Sequence, residues 1–392
     1  MRVLSVTAQK PCSTGSGVYL TEVVRSLAKM GVSQAVVAGV TREDRVDMPE
    51  GVTVYPVYFS SEKLPYPVVG MSDDMPYTST RYRDMTEEMA GQFKAAFFEV
   101  LDEAIEKENP DIILCHHLYY LTALIRAHYP AKKVYGFCHN TDLRQMESIL
   151  FERNFIRQEI PKLDRIFALQ EAQKEKIKKI YPVSEKQMTV IGTGYNSEVF
   201  KKTGIKLSRK DGKIRMIFAG KITQKKGVKS LLRALNLLDY EKEKIQLILA
   251  GGAGNLVEYE EIKELADGCR YPVVFAGCVT QSRLAELYND CDIFVLPSMY
   301  EGLPLTVIES LACGDRVVMT KLEGIAEWLA DMVPDADIRY VLPPGMKGTD
   351  EPLEEELPAF ESRLAEALRE AIEEIDTKEC DVSRISWQKI AR

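Results

Sequence analysis

Short apolar runs alternate with stretches whose apolar residues recur every three or four positions. Residues 2–7 (RVLSVT) read as a short strand. Residues 10–17 are turn-rich, and residues 18–30 carry apolar side chains at helical spacing before Gly31, a C-terminal stop. Further strands are expected at 35–39, 52–57, 112–115 and 133–138, with an amphipathic helix at 92–107 ahead of Asn109, Pro110 and Asp111. Residues 162–169 close this half, and a helix is expected at 173–180. In the second half, 215–219, 245–250, 273–280 and 292–297 read as strands, with a helix at 281–289. Strands alternating with helices predict α/β architecture with parallel, doubly wound sheets. Ligands of such sheets sit at the carboxyl ends of the strands.

The last of these strands runs into residues 298–314 (SMYEGLPLTVIESLACG). Glu301 is expected in the loop before a helix, and Glu309, eight residues on, about two turns into it. Pro304 suits the first helical turn, where a missing N–H costs nothing. The amides of Gly302, Leu303, Leu305 and Thr306 are expected to point at one spot. A helix N-terminus attracts an anion such as a pyrophosphate, and carboxylates on either side accept hydrogen bonds from sugar hydroxyls. A phosphate flanked by two polyols describes a nucleotide-sugar.

With its flanking residues, this segment resembles the Glu-x7-Glu motif of retaining GT-B glycosyltransferases of family 4. The resemblance covers nearly the whole chain and is strongest over 215–314. Residues 220–228 (GKITQKKGV) resemble the family's Gly-Arg…Lys-Gly segment. Lys221 stands where most members have arginine, keeping the charge but losing the fixed bidentate fork. The resemblance implies that Gly220, Lys221 and Lys226 meet the diphosphate of a donor. It implies base contacts, mainly through backbone, at Cys278 and Val279, and close backbone approach to the donor phosphates at Gly17, with Gly15 as a second candidate; an ordinary tight turn is the alternative there. Neither that loop nor 251–254 has the third glycine of a dinucleotide fingerprint. Residues 137–142 (FCHNTD) resemble the segment whose histidine, here His139, contacts the transferred sugar. Residues 190–200 resemble the crossover into the second domain, with Gly192 and Gly194 permitting hinge motion, and 386–392 (SWQKIAR) resemble the start of a final helix. After Gly314 the chain departs from the family's Pro-Val-Val: Asp315 and Arg316 stand there, and the family's later glutamate has only a weak counterpart in Glu323 or Glu327.

Two histidine clusters close first-half strands: His116 and His117 beside Cys115, and His139 beside Cys138. Neighbours in a strand point to opposite faces, and the spacing is not that of a zinc site, so no metal is expected. His116 and His117 either line the acceptor side or are buried structural histidines, and His128 has no role. Residues 64–89 contain Pro65, Pro67 and Pro76, which argue against a regular element, and are dense in hydroxyls, aromatics and charge. Long ordered loops are usually functional, and GT-B enzymes bind acceptor in the N-terminal domain. Tyr77 and Arg81 in this loop, near Asp73 and Asp74, are therefore acceptor candidates, with Asp142, Arg144 and Gln145. A surface lid or dimer contact is the other reading of the loop.

At 392 residues and 45% hydrophobic, the chain can bury two cores. A net charge of −8 gives no basic footprint for nucleic acid. Eight scattered cysteines without a CxxC pair suit reduced thiols. With no leader pattern and no apolar run near about 18 residues, the expected setting is cytoplasmic, with at most peripheral membrane contact. The lysines of 173–180 are diluted by Glu171 and Glu175, as in a solvated helix face.

The expected organisation is GT-B, two Rossmann-like domains facing a central cleft: an acceptor domain at 1–192, a nucleotide-sugar domain at 193–375, and a C-terminal helix at 376–392 packing back toward the first. The resemblance implies a hexosyltransferase that takes a UDP- or GDP-type nucleotide-sugar as co-substrate, without cofactor or metal, and transfers the sugar with retention to a hydroxyl acceptor. Acceptor and oligomeric state stay open. A sugar-nucleotide epimerase on the same fold and a non-catalytic nucleotide-sugar-binding subunit are the alternatives.

Overall fold

The computed structural model describes residues 1–392 except Cys12, Asp74, Ile205, Thr349, Asp350 and residues 375–379, together with the side chains of Ser208 and Arg209. The chain divides into two units, Met1–Thr193 with Trp387–Arg392, and Gly194–Ser386.

The first unit is built on a seven-stranded parallel sheet. Its strands are β1 (Arg2–Thr7), β2 (Ser33–Val40), β3 (Thr53–Tyr58), β4 (Ile112–His116), β5 (Lys133–Phe137), β6 (Arg165–Ala168) and β7 (Met188–Val190). The order is β3-β2-β1-β4-β5-β6-β7, so the winding reverses between β1 and β4. The register pairs Val3 with Ile112 and Val6 with Cys115, which brings the ends of β1 and β4 to the same edge. Helices α1 (Gly15–Lys29), α2 (Glu87–Glu108), α3 (Tyr120–His128), α4 (Thr141–Ser148), α5 (Arg153–Glu159) and α6 (Glu171–Ile180) fill the connections.

Helix α1 starts at Gly15 rather than 18, because Thr14 caps it by accepting the Gly17 amide at 3.1 Å. Gly15 and Gly17 therefore lie in its first turn. Helix α2 also starts early: Thr86 caps it, and the acidic pair Glu87 and Glu88 suits its positive end. The polar first turn hid that start from the apolar periodicity. The described residues of the proline-rich segment before α2 are mostly irregular, as its three prolines predict, but the segment is packed. Val69–Gly70 pairs in parallel with Thr80–Arg81, and Leu64, Tyr66, Val68, Met71, Tyr82 and Met85 are buried in the main core. Asp74 lies outside the described residues.

The second unit repeats the plan with six parallel strands: β8 (Ile214–Ala219), β9 (Ile245–Ala250), β10 (Val273–Gly277), β11 (Ile293–Leu296), β12 (Arg316–Thr320) and β13 (Ile338–Val341). The order β10-β9-β8-β11-β12-β13 reverses between β8 and β11. Helices α7 (Val228–Asn236), α8 (Leu256–Asp267), α9 (Gln281–Asp290), α10 (Leu305–Ala312), α11 (Ile325–Met332) and α12 (Leu357–Glu373) accompany them. The departure after Gly314 is built into this core. Asp315 is buried and accepts from Lys206 Nζ at 2.5 Å, while the same ammonium donates to the Tyr288 and Cys313 carbonyls. Arg316, also buried, bonds Asp337 at 2.6 Å and the Ala371 carbonyl at 2.8 Å. The acidic stretch after 350 is partly ordered: Glu351–Pro352 pairs with Met346–Lys347, and a 3-10 turn follows at Glu354–Glu356.

The expected C-terminal helix at 376–392 is corrected. Residues 376–379 lie outside the described residues, residues 380–386 are not helical, and one turn, α13 (Trp387–Ile390), remains. It belongs to the first unit, whereas residues up to Ser386 belong to the second. The observed division falls between Thr193 and Gly194, one residue past the expected boundary. Trp387 is buried and meets Tyr19 of α1 edge-on at 4.8 Å between ring centroids. Trp387→Ala is expected to cost the first unit about 3 kcal/mol, the usual price of deleting a buried large aromatic. Urea unfolding followed by circular dichroism measures it, and an unchanged midpoint would remove α13 from that core.

Candidate functional site

In the second unit the candidate residues gather where the winding reverses. The loop after β8 carries Gly220, Lys221 and Lys226, and the loop after β11 carries Glu301 and Gly302. Lys226 Nζ lies 2.5 Å from Glu301 Oε1, both side chains largely shielded from solvent. The two loops are also tied through backbone: the Met299 amide donates to the Lys225 carbonyl at 2.9 Å. Gly227 makes this closeness possible. Its φ is +74°, and a Cβ there would lie 2.0 Å from the Pro297 carbonyl oxygen. Lys221 is half-buried at the start of the same loop.

Helix α10 begins at Leu305, with Pro304 as its cap in extended conformation and no side-chain cap bond. Pro304 is thus outside the first turn, not inside it. Glu309 is the fifth helical residue, just over one turn in rather than two, and is buried. Burial and the Glu309 charge push the Tyr288 phenol well above its usual range. Gly302, Leu305 and Thr306 are half-buried and Leu303 is buried. Cys278 is exposed past the end of β10, and its Sγ lies 2.8 Å from where a Cβ on Gly252 would be. Val279 beside it is half-buried. A Cβ on Gly251 would lie 1.8 Å from the Gly220 carbonyl oxygen, so the loops after β8 and β9 also meet backbone to backbone.

In the first unit the histidines converge at the ends of β4 and β5. His116 Nδ1 and His139 Nε2 are 3.0 Å apart, so one ring donates and the other accepts. Their rings are nearly parallel, and His117 is tilted 4.9 Å from His139. Burial holds all three below the usual imidazole range, His116 at about 3. The Nε2 atoms of His116 and His117 are buried and unpartnered among the described residues. His128 lies apart on α3, stacked on Phe98.

The other acceptor candidates scatter. Arg81 is exposed and bonded to Asp84 at 2.6 Å. Tyr77 has Lys10 5.0 Å over its ring, and Lys10 itself bonds Asp44 at 2.8 Å. Arg144 is half-buried on α4. Asp142, expected to face an acceptor, is fully buried and bonds only inward among the described contacts. Two lysines of α6 are paired with carboxylates: Lys174 contacts Glu171 and Glu185, and Lys178 contacts Glu175 and Glu185. Among the described residues no group of three or more His, Cys, Asp or Glu is placed to hold a metal ion, and no helix is long and apolar enough to cross a membrane.

Two family profiles match the chain, Glycosyltransferase Family 4 over residues 13–199 and Glycosyl transferases group 1 over residues 200–350. The chain belongs to the family 4 GT-B glycosyltransferases. An uncharacterized glycosyltransferase of Methanocaldococcus jannaschii is 29% identical over 172 residues, covering 42% of this chain and 44% of that protein. The chain spans 44 to 60% of the length of the first curated relatives it matches. Among solved structures, sucrose-phosphate synthase from Thermosynechococcus elongatus aligns with a TM-score of 0.69 at 15% identity, covering 100% of this chain and 96% of that one. Anabaena HepE in complex with UDP and glucose aligns with a TM-score of 0.63 at 15% identity, covering 100% and 97%. These likenesses show the GT-B fold.

Within this family 4 chain, sequence reasoning missed three features: Asp142 as an inward-facing hub, the Tyr19–Trp387 contact, and Gly227 as the residue that lets Lys226 reach Glu301. The glycine stands directly after the lysine, which was a signal for its role. Two outcomes follow. Gly227→Ala is expected to lose about 1–3 kcal/mol, the cost of a left-handed non-glycine residue, compounded by the clash with Pro297; a thermal melt within a degree of wild type would contradict the contact. The histidines give a pH dependence. Neutral when folded, they take up protons on unfolding below about pH 6.5. Stability is therefore full above that pH and falls as pH drops toward 3, the folded value of His116, by up to about 1.4 kcal/mol per pH unit for each histidine. His116→Gln is expected to flatten that slope in urea midpoints taken at pH 7.5, 6 and 5 (about one unit or more apart).

Proposed function

We propose that the protein is a retaining hexosyltransferase that moves a sugar from a UDP- or GDP-type nucleotide-sugar to a hydroxyl acceptor. The observation that carries this reading is the Lys226–Glu301 pair, 2.5 Å apart at the winding reversal of the second unit. That is where open α/β sheets bind ligands. Lys226, with Lys221, neutralises the diphosphate as the bond to the sugar breaks, an electrostatic stabilisation of the leaving group. Arrival of the diphosphate divides the ammonium between phosphate and carboxylate, and Glu301 then accepts from hydroxyls of the sugar. Glu309 holds the ribose, the backbone at Cys278 and Val279 holds the base, and the first turn of α10 adds its amides. His139 positions the transferred sugar.

In the proposed front-face reaction the acceptor O–H gives its proton to an oxygen of the leaving diphosphate. The acceptor oxygen bonds the anomeric carbon on the face the diphosphate leaves, which retains configuration. No protein nucleophile takes part. The solved structure of Anabaena HepE contains UDP and glucose, which supports a nucleotide-sugar of this type.

The test is calorimetric titration with UDP, GDP and their hexose conjugates, in EDTA and then in Mg²⁺. One base is expected to bind in EDTA, and Lys226→Ala to weaken its diphosphate at least tenfold while leaving the nucleoside nearly unaffected. Turnover of the conjugate is expected to fall by orders of magnitude. Equal diphosphate affinity in Lys226→Ala, or binding only with Mg²⁺, would overturn the assigned electrostatics. Donor binding without any turnover would favour a non-catalytic subunit.

A further inference from the structure

One buried carboxylate joins the two loops that carry the histidines. Asp142, in the first turn of α4, is completely buried. Its Oδ2 accepts from the Leu118 amide at 2.7 Å, next to His117 in the loop after β4. Both oxygens lie within reach of the His139 amide, at 3.2 and 3.3 Å, in the loop after β5. Oδ1 also accepts from its neighbour Leu143 at 3.1 Å and from the Cys138 thiol at 3.4 Å. A carboxylate has room for about four acceptances, so these donors use its capacity on the protein's own backbone.

What it holds in place is unfavourable locally. His117 has φ +74° and Asn140 φ +71°, left-handed conformations that cost a non-glycine residue. The two residues sit one on each loop, adjacent to the amides that Asp142 accepts. Further bonds continue the clamp: the His117 amide donates to the Phe137 carbonyl at 3.0 Å, and Thr122 Oγ1 donates to the His117 carbonyl at 2.5 Å. The result places His116 Nδ1 3.0 Å from His139 Nε2 and leaves the Nε2 atoms of His116 and His117 without partners among the described residues. Strained backbone persists only where surrounding contacts over-determine it, and it clusters at functional sites.

We infer that Asp142 is the positioning residue of the first-unit site: by accepting the Leu118 and His139 amides together, it fixes the loops after β4 and β5 so that the histidine rings hold one geometry toward substrate. This rests on the proposed role of His139 in positioning the sugar. Asp142 itself touches no substrate. Its side chain is committed inward, so its effect reaches the reaction through His139 and His117.

The test compares Asp142→Asn, His139→Ala and the double variant Asp142→Asn/Asn140→Gly with wild type. The readout is turnover of UDP-glucose, or of whichever conjugate the titrations select. Asn keeps shape and one oxygen but replaces the other with an amide donor facing backbone N–H groups. A misplacement of about 1 Å costs on the order of 100-fold in rate. Asp142→Asn is expected to lower kcat by about that factor, with UDP affinity within twofold of wild type because the second unit is untouched. Amide exchange at Leu118 and His139 is expected to speed up. Glycine at 140 accepts the left-handed backbone without strain, so the double variant is expected to recover part of the lost kcat. If the single variant does not fold, the double variant carries the same readouts. Wild-type kcat per folded molecule in Asp142→Asn, even with a lower melting temperature, would make the residue merely structural and overturn the inference, as would a double variant no faster than the single. If His139→Ala is itself fully active, the failure lies in the role given to His139 and not in the Asp142 contacts.

Discussion

A parallel sheet whose winding reverses must leave two neighbouring strands with connections that run off in opposite directions. Both units of this chain have such a pair, β1 and β4 in the first and β8 and β11 in the second. The constraint is topological, and side-chain chemistry only occupies the place it opens. In the second unit the loops on either side of the reversal approach until backbone meets backbone. Gly227 lies against Pro297 at the reversal, and Gly251 lies against the Gly220 carbonyl on the neighbouring strand pair. A lysine and a glutamate carried on those loops are then forced within 2.5 Å. A Cβ at either glycine would press into the facing backbone, so the glycines let these loops come that close.

The two sites resolve the cost of shielded polar groups in opposite ways. The second unit keeps formal charges and pairs them, because a shielded ammonium or carboxylate left alone is expensive. The histidine cluster of the first unit avoids charge. Burial holds its three imidazoles below their usual range, and the carboxylate of Asp142 is spent on backbone amides. Neutral imidazoles suit hydroxyl groups, to which they can both donate and accept. The chemistry proposed for each unit follows that difference: cationic stabilisation of a diphosphate in the second, hydrogen bonding to a polyol in the first.

Most strand positions and the alternation of elements were legible because strands of a doubly wound sheet are apolar runs punctuated by turns, but Arg316–Thr320 and Ile338–Val341 were not read as strands. Boundaries were less so. The polar first turn of α2 carries no periodicity, and α1 starts on two glycines that read as loop. The short strand Met188–Val190 was hidden by polar Thr189 and by adjoining the glycine-rich crossover. Prolines at 65, 67 and 76 argued against regular structure, yet the segment folds onto the core through residues between them. In the site, residue types survived translation better than directions. Lys226, Glu301 and the histidines meet partners within their own units, whereas Asp142 turned inward and Arg81 stayed on the surface. Sequence spacing says which loop carries a side chain; burial and competing donors decide where it points.

The departure after Gly314 shows how a family pattern can be broken without loss of the fold. A proline at 315 would lack the N–H that here donates to Ser310 at 3.1 Å, and it would offer nothing to Lys206. With aspartate the segment gains a buried carboxylate, whose burial raises its pKa to about 7 despite the ammonium at 2.5 Å. That raised value means the ion pair repays only part of the desolvation. The pair is therefore weak support for stability on its own. Lys206 also donates to the carbonyls of Tyr288 and Cys313, one at the end of α9 and the other capping α10, the helix that carries Glu309. The substitution trades a rigid turn for a cross-link that fixes the rear of α10. Its front, at Pro304, has no side-chain cap, so the helix is anchored at the end away from the Lys226–Glu301 pair.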